Sequence, residues 1–297
     1  MSEWRAVIDI GTNSVLLLLA RRLADGSLEV ARDQSTITRL GQGAGESGML
    51  APEAIARTLT CLAGYRAVAE AAGATLTAVT TEGVRMARNQ AAFLVPAGEV
   101  LGQPVRLLTG DEEAELSYLS VANETPEGGP LRVLDIGGGS TELVLGEGRT
   151  LLSAKSYPVG SVRLTERLFR SDPPTPEMLA AAHSWALTAF RAGPPVAPHP
   201  VLHGLAGTVT TVAALLLGLS DYDRMKVDGS RFTAAQVLGL RDALAAETLE
   251  QRCTRSCLER GRADVIVAGV TILLAALEHC GAETLVVRDR GLRFALV

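Results

Sequence analysis

Cysteine and histidine are scarce, with four of each in 297 residues. Cys253 and Cys257 are four apart, but no second cysteine or histidine pair follows at zinc spacing. Cys61 and Cys280 stand alone, and His183, His199, His203 and His279 are scattered. This excludes a zinc ribbon and reads as reduced, mostly buried thiols. His203, ahead of a glycine-rich turn, reads as structural. Long apolar runs are also missing. Nothing approaches the roughly 20 residues of a membrane helix, and the uninterrupted stretch Val15 to Ala20 is strand length. Ser2-Glu3-Trp4-Arg5 is not followed by a signal-peptide core. The expectation is a cytoplasmic protein without a membrane partner. An excess of positive charge is absent too: 28 Lys and Arg face 33 Asp and Glu, a net charge of −5. That argues against broad nucleic-acid binding. Any anionic substrate must be held by local donors, cations or a metal.

What is present is a core-forming chain, 47% hydrophobic, whose length suggests two domains. One sentence of sequence appears twice, 126 residues apart. It reads Ile8-Asp9-Ile10-Gly11-Thr12-Asn13-Ser14, then Leu134-Asp135-Ile136-Gly137-Gly138-Gly139-Ser140. Each copy is an apolar strand ending in Asp, a glycine-rich polar turn, and a second apolar run (Val15 to Leu19; Leu143 to Leu145). Such hairpins point backbone N–H groups at one place, and two facing each other would clamp an anion. Asp9 and Asp135, at strand ends, suit a divalent cation. Glu142 lies two residues after Ser140, on the same side of the pleat.

Strands are expected over Arg5 to Ile10, Ser14 to Arg21, Leu28 to Leu40, Leu76 to Thr80 and Val105 to Leu108. A helix is expected from Pro52 to about Ala72, and a short one around Val84 to Ala87. A break rich in Glu, Gly and Pro covers Asn123 to Pro130. After the second hairpin come a strand over Leu151 to Tyr157 and another over Val201 to Leu205, which runs into the turn Gly204 to Thr208. Helices are expected over about Ala234 to Ala246 and Ala263 to Cys280, and a strand over Leu285 to Arg288. Strands then helices, twice over, indicate an α/β duplication.

Gly110-Asp111-Glu112-Glu113 places acids at a helix start, where they favour the helix dipole. Coming directly before the domain break, one of them could deprotonate an attacking water. Arg85, Arg88, Arg163, Arg262, Arg288, Arg290 and Arg293 are the basic residues that could meet phosphate oxygens.

These segments resemble the Ppx/GppA phosphatase family, in its short form without the extra C-terminal helical region. The most specific match combines Leu134 to Leu143 with Gly160-Ser161-Val162-Arg163-Leu164-Thr165. Ala6 to Leu19, Arg85 to Asn89, Gly110 to Tyr118, Gly207 to Leu215, Arg262 to Gly269 and Gly291 to Arg293 follow the same order. The resemblance implies two ribonuclease-H-like domains of the actin, sugar-kinase and chaperone-ATPase superfold around a central cleft. The expected boundaries are 1–120, with a C-terminal helix over 288–297 packing back on it, and 121–287. It implies hydrolysis of a terminal phosphoanhydride with Mg²⁺, or Mn²⁺ in its place. Glu113 falls on the general base and Arg85 on a cleft arginine. Thr12, Asn13, Ser14, Gly137, Gly138, Gly139, Ser140, Gly207, Thr208 and Arg262 fall on phosphate-holding positions. Asp9, Asp135 and Glu142 fall on the metal acids. A homodimer is the assembly the resemblance suggests. The substrate expected is inorganic polyphosphate; pppGpp, phosphate transfer from ATP and a non-catalytic sensor are the rivals. Three positions depart from the pattern: Glu82-Gly83 ahead of Arg85, Leu16 after the first turn, and Leu292-Arg293-Phe294-Ala295 without the usual Glu-Gly ending.

Overall fold

A computed structural model describes residues 3–125 and 128–297. Residues 126–127, inside the break expected at Asn123 to Pro130, lie outside the described residues, as do 1–2. The chain divides into two compact units, Met1–Leu116 with Leu292–Val297, and Ser117–Gly291.

The first unit is built on strands β1 (Arg5–Ile10), β2 (Ser14–Arg22), β3 (Leu28–Ile37), β4 (Thr75–Thr80) and β5 (Arg106–Leu107). Their order is β3-β2-β1-β4-β5. The first three form an antiparallel meander, and β4 and β5 add in parallel. This is the ribonuclease-H-like arrangement. β1 is apolar on both faces because both are covered. On one side the helix Pro52–Ala71 lays down Ile55, Leu62, Tyr65 and Ala69. Beside it the helix Gln90–Leu101 buries Phe93, Ala97 and Leu101, a four-residue spacing. On the other side Phe294 packs with Leu18 and Ala20, and Leu292 with Val79 and Leu108.

The second unit repeats the plan with β6 (Pro130–Ile136), β7 (Thr141–Glu147), β8 (Thr150–Tyr157), β9 (Val201–Leu205), β10 (Arg231–Thr233) and β11 (Thr284–Val287). The order is β10-β11-β9-β6-β7-β8. β8-β7-β6-β9-β11 matches β3-β2-β1-β4-β5 in order and direction, and β10 is an added antiparallel edge. The helix Ile266–Cys280 is apolar on all sides and lies at the centre of this core.

Several elements differ from the sequence expectation. Gln90–Leu101 is a helix despite Pro96 in its interior. β10 is three residues long, too short to show a pattern. The helix expected from Ala263 begins at Ile266, after a separate turn over Arg260–Ala263. At the C-terminus the expected helix over 288–297 is a 3₁₀ turn, Leu292–Leu296, and residues 288–291 group with the second unit. Arg293 holds that turn, pairing with Asp33 at 2.8 Å while 6% exposed. The guanidinium is buried, while Asp33 lies on an exposed stretch of β3.

Candidate active site

The two repeated turns close in the same way. The Gly11 N–H donates to the Ser14 carbonyl at 3.0 Å, and the Gly137 N–H to the Ser140 carbonyl at 2.9 Å. In each, the turn's carbonyls are taken by a following segment. In the first unit the Thr38 and Arg39 N–H groups donate to the Asn13 carbonyl and Gly41 to that of Thr12. In the second, Ser161, Val162 and Arg163, which open the helix Ser161–Leu168, donate to the carbonyls of Gly137 and Gly138 at 3.0–3.1 Å. The successive N–H groups of Gly138, Gly139 and Ser140 make no backbone hydrogen bond of this kind among the described residues. Gly139 and Ser140 are buried. Successive N–H groups left over in a glycine turn are donors that can take an anion.

Glycine is required beside these turns by contact. A Cβ on Gly160 would stand 2.3 Å from the Gly138 carbonyl oxygen. In the first unit Thr12 is wedged between Gly41 and Gly83, where Cβ atoms would approach its side chain to 2.3 and 2.6 Å. Gly83 thus leaves the space that the Thr12 side chain takes. Its neighbour Glu82 is buried at the start of the short helix Glu82–Arg85.

Register separates the two turns chemically. Asp135 lies opposite Glu142, and Glu142 opposite Ser156, so three strands contribute one rung. Directly opposed residues share a face. The equivalent rung in the first unit is Asp9, Leu16, Ser35. Leucine 16 thus stands where the second unit has Glu142. The Ser117 hydroxyl donates to Asp135 Oδ2 at 2.7 Å, and the Ser156 hydroxyl to Glu142 Oε1 at 2.6 Å. Neither serine is singled out by the sequence. Ser156 becomes visible only when the β6–β7 register is extended to β8.

The acids of Gly110-Asp111-Glu112-Glu113 divide their work. Glu112 and Thr109 cap the helix Gly110–Ala122 reciprocally, at 2.8 and 3.2 Å, and Glu112 also pairs with Arg106. The Thr109 N–H and Arg106 hold the Glu112 carboxyl below its ordinary range. Asp111 is exposed. Glu113 is 8% exposed, and its Oε2 lies 3.5 Å from Arg85 Nη1. That nitrogen also donates to the Leu108 carbonyl at 2.6 Å. Arg85 and Glu113 are thus brought together within the first unit, from segments 28 residues apart.

At the third turn, Ala206 takes a positive φ of 66° between β9 and the helix Ala206–Leu216. Arg262 Nη1 donates to the Gly207 carbonyl at 2.7 Å and to Thr211 Oγ1 at 3.1 Å. A Cβ on Gly207 would meet that nitrogen at 2.3 Å. Arg262 therefore braces the turn through Nη1, and burial pushes its pKa down. The Thr208 side chain packs against Gly269 of the central helix, where a Cβ would meet its Cγ2 at 2.6 Å.

Of the metal acids expected, Asp135 and Glu142 meet on one rung, while Asp9 belongs to the other unit. Among the described residues, no group of three His, Cys, Asp or Glu side chains could hold a metal. Mg²⁺ is usually held by one or two carboxylates together with substrate phosphates. The Asp135–Glu142 pair beside the N–H groups of Gly138, Gly139 and Ser140 fits that donor set. No helix among the described residues is long and apolar enough to cross a membrane.

The chain as a whole is similar to known proteins. The profile of the Ppx/GppA phosphatase family matches residues 20–296. Exopolyphosphatase 2 of Mycobacterium tuberculosis is 38% identical over 283 residues, covering 90% of this chain and 88% of its own. The crystal structure of the Aquifex aeolicus Ppx/GppA family member superposes with a TM-score of 0.83 at 35% identity, over 100% of this chain and 96% of that one. An exopolyphosphatase structure from Cytophaga hutchinsonii, at 24% identity, shares the fold with a TM-score of 0.88 over 99% and 96%. With its duplicated turns, its rung of acids and this match along nearly its whole length, the chain belongs to the Ppx/GppA phosphatase family.

Proposed function

We propose that this phosphoanhydride hydrolase is an exopolyphosphatase, removing the terminal phosphoryl group of inorganic polyphosphate as orthophosphate. The observation that carries the reading is the row of N–H groups at Gly138, Gly139 and Ser140 beside the Asp135–Glu142 pair. A terminal phosphoryl group presents several charged oxygens and no base or sugar. Backbone donors and carboxylates suit such a group. The relatedness to a protein named exopolyphosphatase supports the same substrate.

In this reading water attacks the terminal phosphorus and Glu113 takes its proton. The bond from phosphorus to the bridging oxygen breaks, and a chain one phosphate shorter leaves with that oxygen. Arg85 orients the Glu113 carboxylate through their ion pair. The N–H groups of Gly138, Gly139 and Ser140 hold phosphoryl oxygens, and Arg262 keeps the turn at Gly207 in shape. A Mg²⁺ ion held by Asp135 and Glu142 would neutralise charge on the phosphoryl oxygens.

The test is orthophosphate release by purified protein from long polyphosphate, short polyphosphate, pppGpp and ATP, each with and without Mg²⁺. The reading expects Mg²⁺-dependent release, fastest from polyphosphate. Faster release from pppGpp would replace it with a nucleotide phosphatase. Transfer of phosphate to a second molecule would replace it with a kinase.

A further inference from the structure

The hydroxyls of Ser117 and Ser156 have an unusual destination. Buried hydroxyls on helices commonly donate back to the carbonyl four residues earlier. Thr58 and Thr271 do so here, at 2.8 and 2.7 Å, as does the half-buried Thr165 at 2.8 Å. Ser117 is fully buried on the helix Gly110–Ala122, and it does not. Its proton goes to Asp135 Oδ2 instead. From the other edge of the same rung, Ser156 on β8 donates to Glu142 Oε1. The two carboxylates therefore each have one oxygen fixed by a neutral hydroxyl. Like charges on directly opposed residues repel. Both donors are neutral, so they fix these two oxygens without themselves adding a charge.

We propose that Ser117 and Ser156 are positioning residues that fix Asp135 and Glu142 in the orientation needed to share a divalent cation. The inference rests on the proposed metal-dependent phosphatase reading and adds to it the residues that set metal affinity. In the first unit the matching rung has Leu16 in place of the second acid, and Ser35 there is exposed. The arrangement is confined to the second unit. The inference therefore concerns the turn with three glycines alone.

The test is Mn²⁺ binding to the metal-free full chain, read by the loss of the free-ion electron paramagnetic resonance signal. Thermal melting without metal is read in parallel. The expected result is a 10- to 100-fold weaker Mn²⁺ affinity in Ser117→Ala and in Ser156→Ala, the range typical for groups that orient metal ligands. Ser117→Thr and Ser156→Thr, which keep the hydroxyl, should restore most of it. Metal-free melting should move little in Ser156→Ala, which sits on a half-buried strand position and carries the test alone if Ser117→Ala fails to fold. Activity of the alanine variants should recover at high metal concentration, a shift in metal requirement with little change in kcat. Wild-type affinity in both alanine variants, with affinity lost in Asp135→Asn and Glu142→Gln, would overturn the serine assignment and leave the metal reading standing. Unchanged affinity in Asp135→Asn and Glu142→Gln, or no binding by the wild-type chain, would overturn the metal reading and this inference with it.

Discussion

Replacing Gly160 with alanine perturbs the turn of 137–140 through a single added methyl group. The residue has φ −133° and ψ 162°, extended backbone that alanine adopts freely, so backbone strain does not enter. The cost comes from contact. The new Cβ would lie 2.3 Å from the Gly138 oxygen, 2.4 Å from its carbonyl carbon and 2.5 Å from that of Gly139. Ordinary contact starts near 3.4 Å, so the turn must retreat by about 1 Å. All three atoms are backbone, so no flexible side chain can yield in their place. Overpacking of this kind costs about 1–3 kcal/mol of stability. A shift of about 1 Å at groups that hold a reacting phosphate costs about 10²-fold in rate. The Ser161, Val162 and Arg163 N–H groups that hold the turn's carbonyls would be pulled out of alignment as well. Urea unfolding and orthophosphate release measure the two effects separately. A Gly160→Ala protein that loses stability but keeps kcat/KM within about twofold, against the 10²-fold expected, would refute the assignment of this turn to the reacting phosphate. Unchanged stability would refute the close contact itself.

Glu113→Gln should lower kcat by about 10²–10⁴-fold, the usual worth of a general base, while polyphosphate binding by filter retention persists; unchanged phosphate release would remove Glu113 from the chemistry. Gly239 is an exposed residue inside the helix Ala234–Ala245, with nothing within 4 Å of an added Cβ. Gly239→Ala should therefore stabilise by about 0.5–1 kcal/mol and leave activity unchanged; a fall in melting temperature would contradict the open space around it. Burial, aided by Arg288, Arg231 and His199, lowers the His203 pKa from 6.5 to about 4. His203 stays neutral in the folded chain where the unfolded chain takes up a proton. Its contribution is present in full above pH 6.5 and is lost as pH falls towards 4, by up to about 3 kcal/mol. Urea unfolding between pH 7.5 and 4.5 should show that slope, and His203→Gln should flatten it; equal slopes would place the acid sensitivity elsewhere.

The duplicated turns were legible because their signal is local. A strand, an Asp and a glycine turn fit within a dozen residues, and repetition 126 residues later reinforces the pattern. The strand-then-helix order gave the α/β class for the same reason. What stayed hidden depends on register or on distant contacts. Leu16 could be seen as a departure, but only the β1–β2 and β6–β7 ladders show that it occupies the Glu142 position. The pairing of Glu113 with Arg85 joins segments that no short pattern connects. Pro96 concealed the helix Gln90–Leu101, although burial of Phe93, Ala97 and Leu101 stabilises it by about 1.5–3 kcal/mol per large side chain. Arg262 carried a charge that suited phosphate, while its partners, Gly207 and Thr211, become evident only in the fold.

Chain-length analysis of polyphosphate during hydrolysis bears most directly on what the second unit's turn does. Long-chain polyphosphate incubated with the protein and Mg²⁺ should release orthophosphate from the first time point. The remaining chains should shorten progressively on a gel, and Glu142→Gln and Gly160→Ala should both slow the release. Cleavage into mid-length fragments without early orthophosphate, or an intact chain after prolonged incubation, would contradict terminal phosphoanhydride hydrolysis at this site.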